Sequence, residues 1–231
     1  MNEIYWFITI FANFGLILLA YWLFGRNGLF IWISIASIIA NVEVVQTLEL
    51  FGLAATLGNV VYATTFLVTD ILSEKYGRKE ANRAVWIGFF SLISMTLLMN
   101  LSLLFQPMDD EYSRNAHESL SLIFGVMPRI VLASLTAYFI SQRHDVWAFH
   151  FWMRLFPGRG KLWIRNNLST MVSQLIDSLI FTFIAFYGVF EWPVLMEILL
   201  TTYLLKWIVA AMDTPFVYLA TKIKPRVVSA E

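Results

Sequence analysis

The chain has 231 residues, of which 59% are hydrophobic and only 14% are charged. Soluble domains average about 45–50% apolar and about 25% charged residues, so this composition predicts a single integral membrane domain and excludes an ordinary soluble one. The formal net charge is zero, which gives no support for binding to nucleic acid, and the absence of cysteine excludes disulfides, thiolate metal sites and a cysteine nucleophile.

Seven apolar segments are long enough, at about 17–25 residues, to cross a hydrocarbon core about 30 Å thick. In chain order we predict spans near residues 4–24, 29–50, 57–73, 84–105, 120–141, 166–190 and 195–220. The break between the second and third spans is the weakest, because residues 51–56 include few polar side chains. We interpret it as a turn bounded by Gly52 and Gly58, and a count of six spans stays open.

The basic residues are distributed unevenly between the loops. If seven spans alternate in direction, all but three of the 16 lysines and arginines fall on one side, the exceptions being Arg114, Arg129 and Lys206. Because cytoplasmic loops carry an excess of basic residues, this asymmetry predicts an outer N-terminus and a cytoplasmic C-terminus.

On the cytoplasmic side, the aromatic-rich stretch 145–156 predicts a short helix lying in the headgroup region. On the outer side, the acidic stretch 106–111 predicts a solvated loop.

Six ionisable side chains lie within apolar stretches of the chain, and they are the first candidates for a functional site. They are Glu43, Asp70, Arg129, Asp177, Lys206 and Asp213. A charge at the centre of a bilayer helix costs about 2.5–3.5 kcal/mol, so these groups must pair with one another or line a cavity. A buried polar site in a helical membrane bundle indicates transport or intramembrane chemistry.

The sixth predicted span has the densest polar pattern. Asn166, Thr170, Ser173 and Asp177 share one helix face, and Gln174 lies beside it. Interhelical hydrogen bonding explains the hydroxyl residues as well as a binding site does. It explains Asp177 poorly, because an anion at this depth needs a cation or a polar ligand, and we therefore assign Asp177 to a site.

The fifth and seventh predicted spans supply two cations. Arg129 follows Pro128, and Lys206 lies seven residues before Asp213 on the same helix face. Each cation can form a structural salt bridge or contact a substrate. The candidate salt bridges join Arg129 to Asp177 and Lys206 to Asp213.

The second and third spans carry three candidate residues, of which Asn41 is new. Asn41 and Glu43 lie in the middle of the second span. Asp70 lies about one turn before the basic stretch 75–79, so it can belong to a site or to a solvated helix end that pairs with local basic residues.

Three stretches of the chain carry a family resemblance. They are Thr-Asp-Ile-Leu-Ser-Glu-Lys-Tyr-Gly-Arg-Lys at residues 69–79, Arg-Ile-Val-Leu-Ala-Ser at 129–134 and Gln-Leu-Ile-Asp-Ser at 174–178. In this combination the chain resembles the queuosine precursor transporter family, also called the vitamin uptake transporters, over roughly residues 35–220. The resemblance implies import of 7-cyano-7-deazaguanine or 7-aminomethyl-7-deazaguanine, precursors of the tRNA base queuosine, across the bacterial cytoplasmic (inner) membrane. It also implies a bundle similar to the substrate-binding subunits of energy-coupling-factor vitamin importers, which usually have six spans.

The chemistry of a 7-deazaguanine base suits the candidate residues. The base offers an N–H and an exocyclic amine that one carboxylate can accept as a pair, and a carbonyl oxygen that needs a donor. The candidate acceptors are Asp177 and Glu43, and the candidate partners of the carbonyl are Arg129, Lys206, Asn41 and Gln174. We expect an aromatic ring to stack on the base, and we predict no catalytic residue, metal site or cofactor.

Other function classes fit the sequence less well. An intramembrane enzyme needs a nucleophile or a metal set, and the chain has no His-Glu-x-x-His or Gly-x-Ser-x-Gly motif. A structural or assembly protein would use its polar residues only to hold helices together. The source of energy stays open between a proton, passive facilitation and a separate ATPase module on the cytoplasmic side, as does assembly into a homodimer.

Overall fold

The computed structural model describes residues 1–44, 46–125, 128–188 and 191–226. Residues 45, 126–127 and 189–190, which belong to the predicted spans 29–50, 120–141 and 166–190, lie outside the described residues, as do residues 227–231. The described helices are α1 (Asn2–Phe24), α2 (Arg26–Glu43), α3 (Asn59–Tyr76), α4 (Arg78–Ser102), α5 (Glu111–Phe124), α6 (Pro128–Leu155), α7 (Leu162–Phe186) and α8 (Trp192–Lys222). A 3₁₀ turn (Arg159–Lys161) precedes α7, and strands β1 (Thr47–Leu50) and β2 (Leu53–Thr56) form an antiparallel hairpin between α2 and α3.

Several of these helices have the length and composition of membrane spans. Within the described residues, α1, α4, α7 and α8 are long and apolar enough to cross a bilayer. Large apolar side chains such as Ile8, Phe90 and Leu200 point outward, which is unfavourable in water but not in lipid. The prediction of a helical membrane protein is therefore confirmed.

Basic residues gather at one end of the bundle. Arg165 at the start of α7 pairs with Glu74 near the end of α3 at 2.6 Å, and Arg26 at the start of α2 lies 3.5 Å from Glu80 of α4. Lys75 donates hydrogen bonds to backbone carbonyls at the C-terminal end of α8. We call this end of the bundle, where α2, α4 and α7 begin and α3 and α8 end, the basic end.

The hairpin lies at the opposite end and covers the start of α1. Asn2 donates to the backbone oxygen of Glu49 at 3.1 Å, and the backbone N–H of Phe51 donates to Glu3 at 3.3 Å. We expected a simple turn after a span that reached residue 50, whereas α2 ends at Glu43. The tight reversal between the strands uses Gly52 at a φ of 76°, a conformation that glycine adopts without strain.

The region from residue 106 to 156 also differs from the prediction. Residues 111–124 form the separate helix α5, whose first turn is capped by a hydrogen bond from the Ser113 backbone N–H to the Asp110 side chain. Hydrogen bonds with the side chain and with the backbone N–H of Ser113 lower the pKa of Asp110. Residues 145–155 continue α6 without a break and do not form a separate headgroup helix. Val146 and Phe149 are fully buried there, because this end of α6 packs inside the bundle.

A close contact between α1 and α2 can be tested with two glycines. An added Cβ at Gly28 would overlap the backbone oxygen of Ala20, whereas an added Cβ at Gly15 meets nothing within 4 Å. We therefore expect Gly28→Ala to destabilise the protein by about 1–3 kcal/mol through overpacking. Gly15→Ala, the matched control in the middle of α1, should be neutral or stabilising by about 0.5–1 kcal/mol. Thermal unfolding in detergent, followed by tryptophan fluorescence, measures both, and equal midpoints would contradict this packing.

Candidate functional site

A buried ion pair lies at the centre of the bundle. Lys206 of α8 donates to Oδ2 of Asp177 on α7 at 2.5 Å, and both side chains are only 3% exposed. The other carboxylate oxygen, Oδ1, accepts hydrogen bonds from the Tyr62 hydroxyl of α3 at 2.5 Å and from Ser141 of α6 at 3.0 Å. The lysine Nζ also lies 4.9 Å from the centroid of the Tyr62 ring, within the range of a cation–π interaction. One carboxylate thus connects four helices.

The polar face of α7 positions Asp177. Asn166, Thr170, Ser173 and Gln174 are all fully buried, and Asp177 is nearly so. Asn166, Thr170, Ser173 and Asp177 recur every three or four positions, so together with the adjacent Gln174 they form one stripe on the helix that faces the other helices rather than lipid. The stripe predicted for the sixth span is the buried face of α7.

A cavity lies beside the ion pair. The polar side chains that line it are Ser37, Asn41, Asn59, Tyr62, Ser134, Tyr138, Asp177 and Lys206. The rings of Tyr62 and Tyr138 lie 5.9 Å apart at 66°, and Phe181 contributes another aromatic wall. The cavity therefore has the mixed polar and aromatic lining of a site for a small planar molecule.

Some polar atoms in the cavity wall, among them Asn41 Oδ1, have no hydrogen-bond partner among the described residues. The amide nitrogen of Asn41 donates to the backbone oxygen of Ser37 at 3.0 Å, but Asn41 Oδ1 is buried with no hydrogen bond to any described residue. Buried polar atoms are normally hydrogen-bonded. The oxygen is therefore an acceptor available to a ligand that carries an N–H.

The structure brings three of the predicted site residues to this cavity, namely Asn41, Asp177 and Lys206. It places Glu43, Asp70, Arg129, Gln174 and Asp213 outside the cavity lining. Glu43 is the last residue of α2 and is half-buried. Gln174 lies on the buried face of α7, where neither polar atom of its amide has a hydrogen-bond partner among the described residues. Asp70 and Asp213 lie nearer the basic end, where Asp70 accepts from Thr170 and Asp213 from Asn166.

Both candidate salt bridges are corrected by the structure. Lys206 pairs with Asp177 and not with Asp213, because it points across to α7. Arg129 donates to the backbone oxygens of Ile184 and Tyr187, at 2.5 and 2.6 Å. These carbonyls lie at and just beyond the C-terminal end of α7, where carbonyl groups lack intrahelical partners and carry partial negative charge. Arg129 thus caps a helix and does not neutralise a buried acid.

Several residues of the site were missed from the sequence, above all Tyr62, Ser141 and Tyr138. A signal for Tyr62 was available, because Tyr62, Thr65 and Thr69 recur on the third span with the spacing of one helix face. No comparable pattern distinguishes Ser141 or Tyr138 from their neighbours.

The buried ion pair predicts a marked difference between two cations. Replacing Lys206 with Met leaves Asp177 as an uncompensated buried charge, which we expect to cost about 3–5 kcal/mol of stability. Arg129→Met is the matched control, because its exposed side chain holds only backbone carbonyls. Adding Asp177→Asn to Lys206→Met should recover most of the loss, since the amide is neutral. Thermal midpoints of the purified variants provide the measurement, and a Lys206→Met midpoint equal to that of Arg129→Met would contradict the assignment.

Comparisons with known proteins give a consistent picture. A family model described as "Putative vitamin uptake transporter" matches residues 56–220. A probable queuosine precursor transporter of Bacillus subtilis (strain 168) is 46% identical over 97% of this chain and 96% of its own length. The queuosine precursor transporter of Escherichia coli (strain K12) is 26% identical over 78% of this chain and 80% of its own length. No solved structure matches the chain.

These relatives are transporters by name, which agrees with the prediction that the chain is not an enzyme. The matched residues include α3, α6 and α7 and most of α8, the helices that surround Asp177. The resemblance carried by residues 69–79, 129–134 and 174–178 is confirmed, and the chain belongs to the vitamin uptake transporter family.

Proposed function

We propose that the chain imports a queuosine precursor, a 7-deazaguanine base, and binds it in the cavity beside Asp177 and Lys206. The observation that carries this proposal is the cavity itself, which combines an ammonium group, an unpartnered amide oxygen and aromatic walls within a membrane bundle. The names of the relatives supply the substrate class, and the lining supplies the chemistry that such a base requires.

The polar groups of the cavity complement the edge of a guanine-like ring. Asn41 Oδ1 is free to accept from an N–H or the exocyclic amine. Lys206 has three N–H donors, and the one that binds Asp177 leaves others for the ring carbonyl. Asp177 Oδ1 already accepts two hydroxyl donors, so direct binding of the base would displace Tyr62 or Ser141. We therefore assign base recognition to Asn41 and Lys206, and assign Asp177 to positioning Lys206.

The aromatic walls supply the contact for the flat faces of the ring. Tyr62 and Tyr138 meet edge to face, and Phe181 lines the same cavity. A planar base has two π faces, and stacking on an aromatic side chain contributes about 1–3 kcal/mol per base in single-stranded nucleic acid complexes. A ring that offers neither an N–H nor an exocyclic amine at this edge would leave Asn41 Oδ1 unpaired, so the same cavity discriminates between related bases.

We further propose that the protein spans the cytoplasmic membrane seven times, with the basic end in the cytoplasm. Among the described residues, the seven helices α1 to α4 and α6 to α8 have at least 18 residues each, whereas α5 has 14. Basic residues collect at one end of this bundle, which supports the orientation expected from the positive-inside rule. In this orientation, the hairpin and α5 lie on the outer side.

Uptake into proteoliposomes tests the function and the role of Asn41 together. The purified chain should take up labelled 7-cyano-7-deazaguanine in a saturable manner, and unlabelled 7-aminomethyl-7-deazaguanine should compete while adenine should not. Asn41→Ala should weaken base binding about tenfold, which corresponds to loss of one buried hydrogen bond of about 1.4 kcal/mol. Asn100→Ala is the matched control, because Asn100 makes the same bond to the carbonyl four residues earlier but is exposed on α4.

The two parts of this experiment fail separately. A wild-type protein that neither binds nor transports the base would overturn the proposed function. Normal binding by Asn41→Ala would remove that amide from the site and leave the function standing.

Cysteine labelling tests the orientation, and the natural chain is already free of cysteine. A cysteine in place of exposed Asp109, in the loop before α5, should react with an impermeant thiol reagent on intact cells. A cysteine in place of exposed Lys224, just after α8 at the basic end, should react only after permeabilisation. The reverse pattern would invert the proposed topology.

A further inference from the structure

Three buried carboxylates lie between the cavity and the basic end. Asp70 of α3, Asp145 of α6 and Asp213 of α8 are 0%, 0% and 1% exposed. A single hydroxyl, Oγ1 of Thr170 on α7, lies 3.0 Å from Asp70 Oδ2 and 3.4 Å from Asp145 Oδ1. These two carboxylate oxygens are therefore no farther apart than the sum of those distances. We call Asp70, Asp145 and Asp213 the acidic cluster.

No cation among the described residues pairs with this cluster. None of the ion pairs among the described residues includes any of its three carboxylates. The nearby charged and titratable side chains on α3, α6, α7 and α8 have other partners. Glu74 pairs with Arg165, Lys206 pairs with Asp177, and Lys75 donates to backbone carbonyls of α8. His144 contacts Ser173, and Arg143 lies over the rings of Trp86 and Phe139. Because an unpaired carboxylate is strongly disfavoured as an anion away from water, the cluster needs a positive ligand.

Unpartnered atoms indicate which ligand that is. Asn166 of α7 is fully buried and faces the cluster, since its Nδ2 donates to Asp213 Oδ1 at 2.7 Å, yet its Oδ1 has no partner. Asp70 Oδ1 and Asp213 Oδ2 are also without hydrogen-bond partners among the described residues. These are acceptors that lack a donor, and a proton bound to a carboxylate supplies one. No group of three or more carboxylate or imidazole side chains in the described part of the chain is arranged to hold a metal ion.

The acidic cluster and the cavity share their supporting helices. Each of four helices carries one residue of the Asp177 network and one residue that belongs to the acidic cluster or contacts it. These pairs are Tyr62 and Asp70 on α3, Ser141 and Asp145 on α6, Asp177 and Thr170 on α7, and Lys206 and Asp213 on α8. The members of a pair are separated by four to eight residues, or about 6–12 Å along a helix. A movement of these helices that opens the cavity to one side of the membrane therefore also changes the contacts within the cluster.

We infer that the acidic cluster is a proton-binding site through which a proton gradient drives uptake of the base, an inference that rests on the proposed function of the cavity. A proton that enters from the outer side converts one carboxylate to a carboxylic acid, whose O–H then donates to an unpaired acceptor. Release of the same proton at the basic end restores the carboxylate. One proton and one base enter per cycle, and no bond of the base changes.

Wild-type proteoliposomes test the coupling without relying on any variant. With an acidic exterior, uptake of labelled 7-cyano-7-deazaguanine should rise at least tenfold over uptake without a gradient. Without an imposed gradient, addition of the base outside should acidify the lumen, as read by an enclosed pH-sensitive dye. A sodium gradient at equal pH should have no effect. Base entry without lumen acidification, or entry driven by sodium, would overturn the inference.

A variant then assigns the coupling to the cluster. Asp145→Asn mimics the protonated side chain, so its gradient-driven uptake should fall at least tenfold. The variant should still bind the base, which is measured as a rise in its thermal midpoint when the base is added. Asp109→Asn, in an exposed loop, is the control and should respond to the gradient like wild type. Undiminished gradient-driven uptake by Asp145→Asn would contradict the assignment. If Asp145→Asn does not fold, lumen acidification by the wild type decides whether protons are coupled.

These experiments distinguish failure of the proton-coupling inference from failure of the proposed transport function. A wild-type protein that binds and equilibrates the base with no proton movement would retain the proposed function and lose the proton site. A wild-type protein that does not bind the base would overturn both.

Discussion

The bundle depends on the neutralisation of Asp177. A carboxylate at this depth has no water to solvate it, so its charge must be met by donors that other helices supply. Lys206, Tyr62 and Ser141 come from α8, α3 and α6, and their three hydrogen bonds hold these helices around α7. Because loss of any donor leaves a buried charge less well satisfied, the relative placement of four helices is tied to a single side chain.

Asp177 and the acidic cluster differ in how completely their carboxylate oxygens are paired with hydrogen-bond donors and cations. Asp177 has a cation and two hydroxyl donors, which makes it suited to hold Lys206 in place. The acidic cluster has hydroxyl and amide donors, but in the part of the chain that the structure describes it has no cation, and some of its oxygens have no partner there. A fully satisfied network is rigid, whereas a partly satisfied one changes state when a proton arrives. The proposed binding and coupling roles follow from this difference.

Sequence reasoning succeeded where one helix alone determines the outcome. Segment length and apolarity identified the long helices, and the spacing from Asn166 to Asp177 identified the buried face of α7, because both depend only on local periodicity. Sequence reasoning failed where contacts between neighbouring helices determine the structure. The partner of Lys206 depends on how α7 and α8 cross, and Asp145 was assigned to a headgroup helix because its stretch is rich in aromatic residues. The hairpin was missed because its strands continue the apolar character of α2.

Tyr62 links the proposed binding event to the rest of the bundle. Its hydroxyl donates to Asp177, its ring lies beneath the Lys206 ammonium, and the same ring meets Tyr138 in the cavity wall. A base that stacks on this ring must alter the position or environment of Tyr62, and so the donor set of Asp177. Because Asp177 and Thr170 lie on the same face of α7, that change reaches the helix that holds Asp70 and Asp145 together through the Thr170 hydroxyl. Substrate occupancy and proton occupancy would then be coupled through side chains that are in direct contact or on one rigid helix.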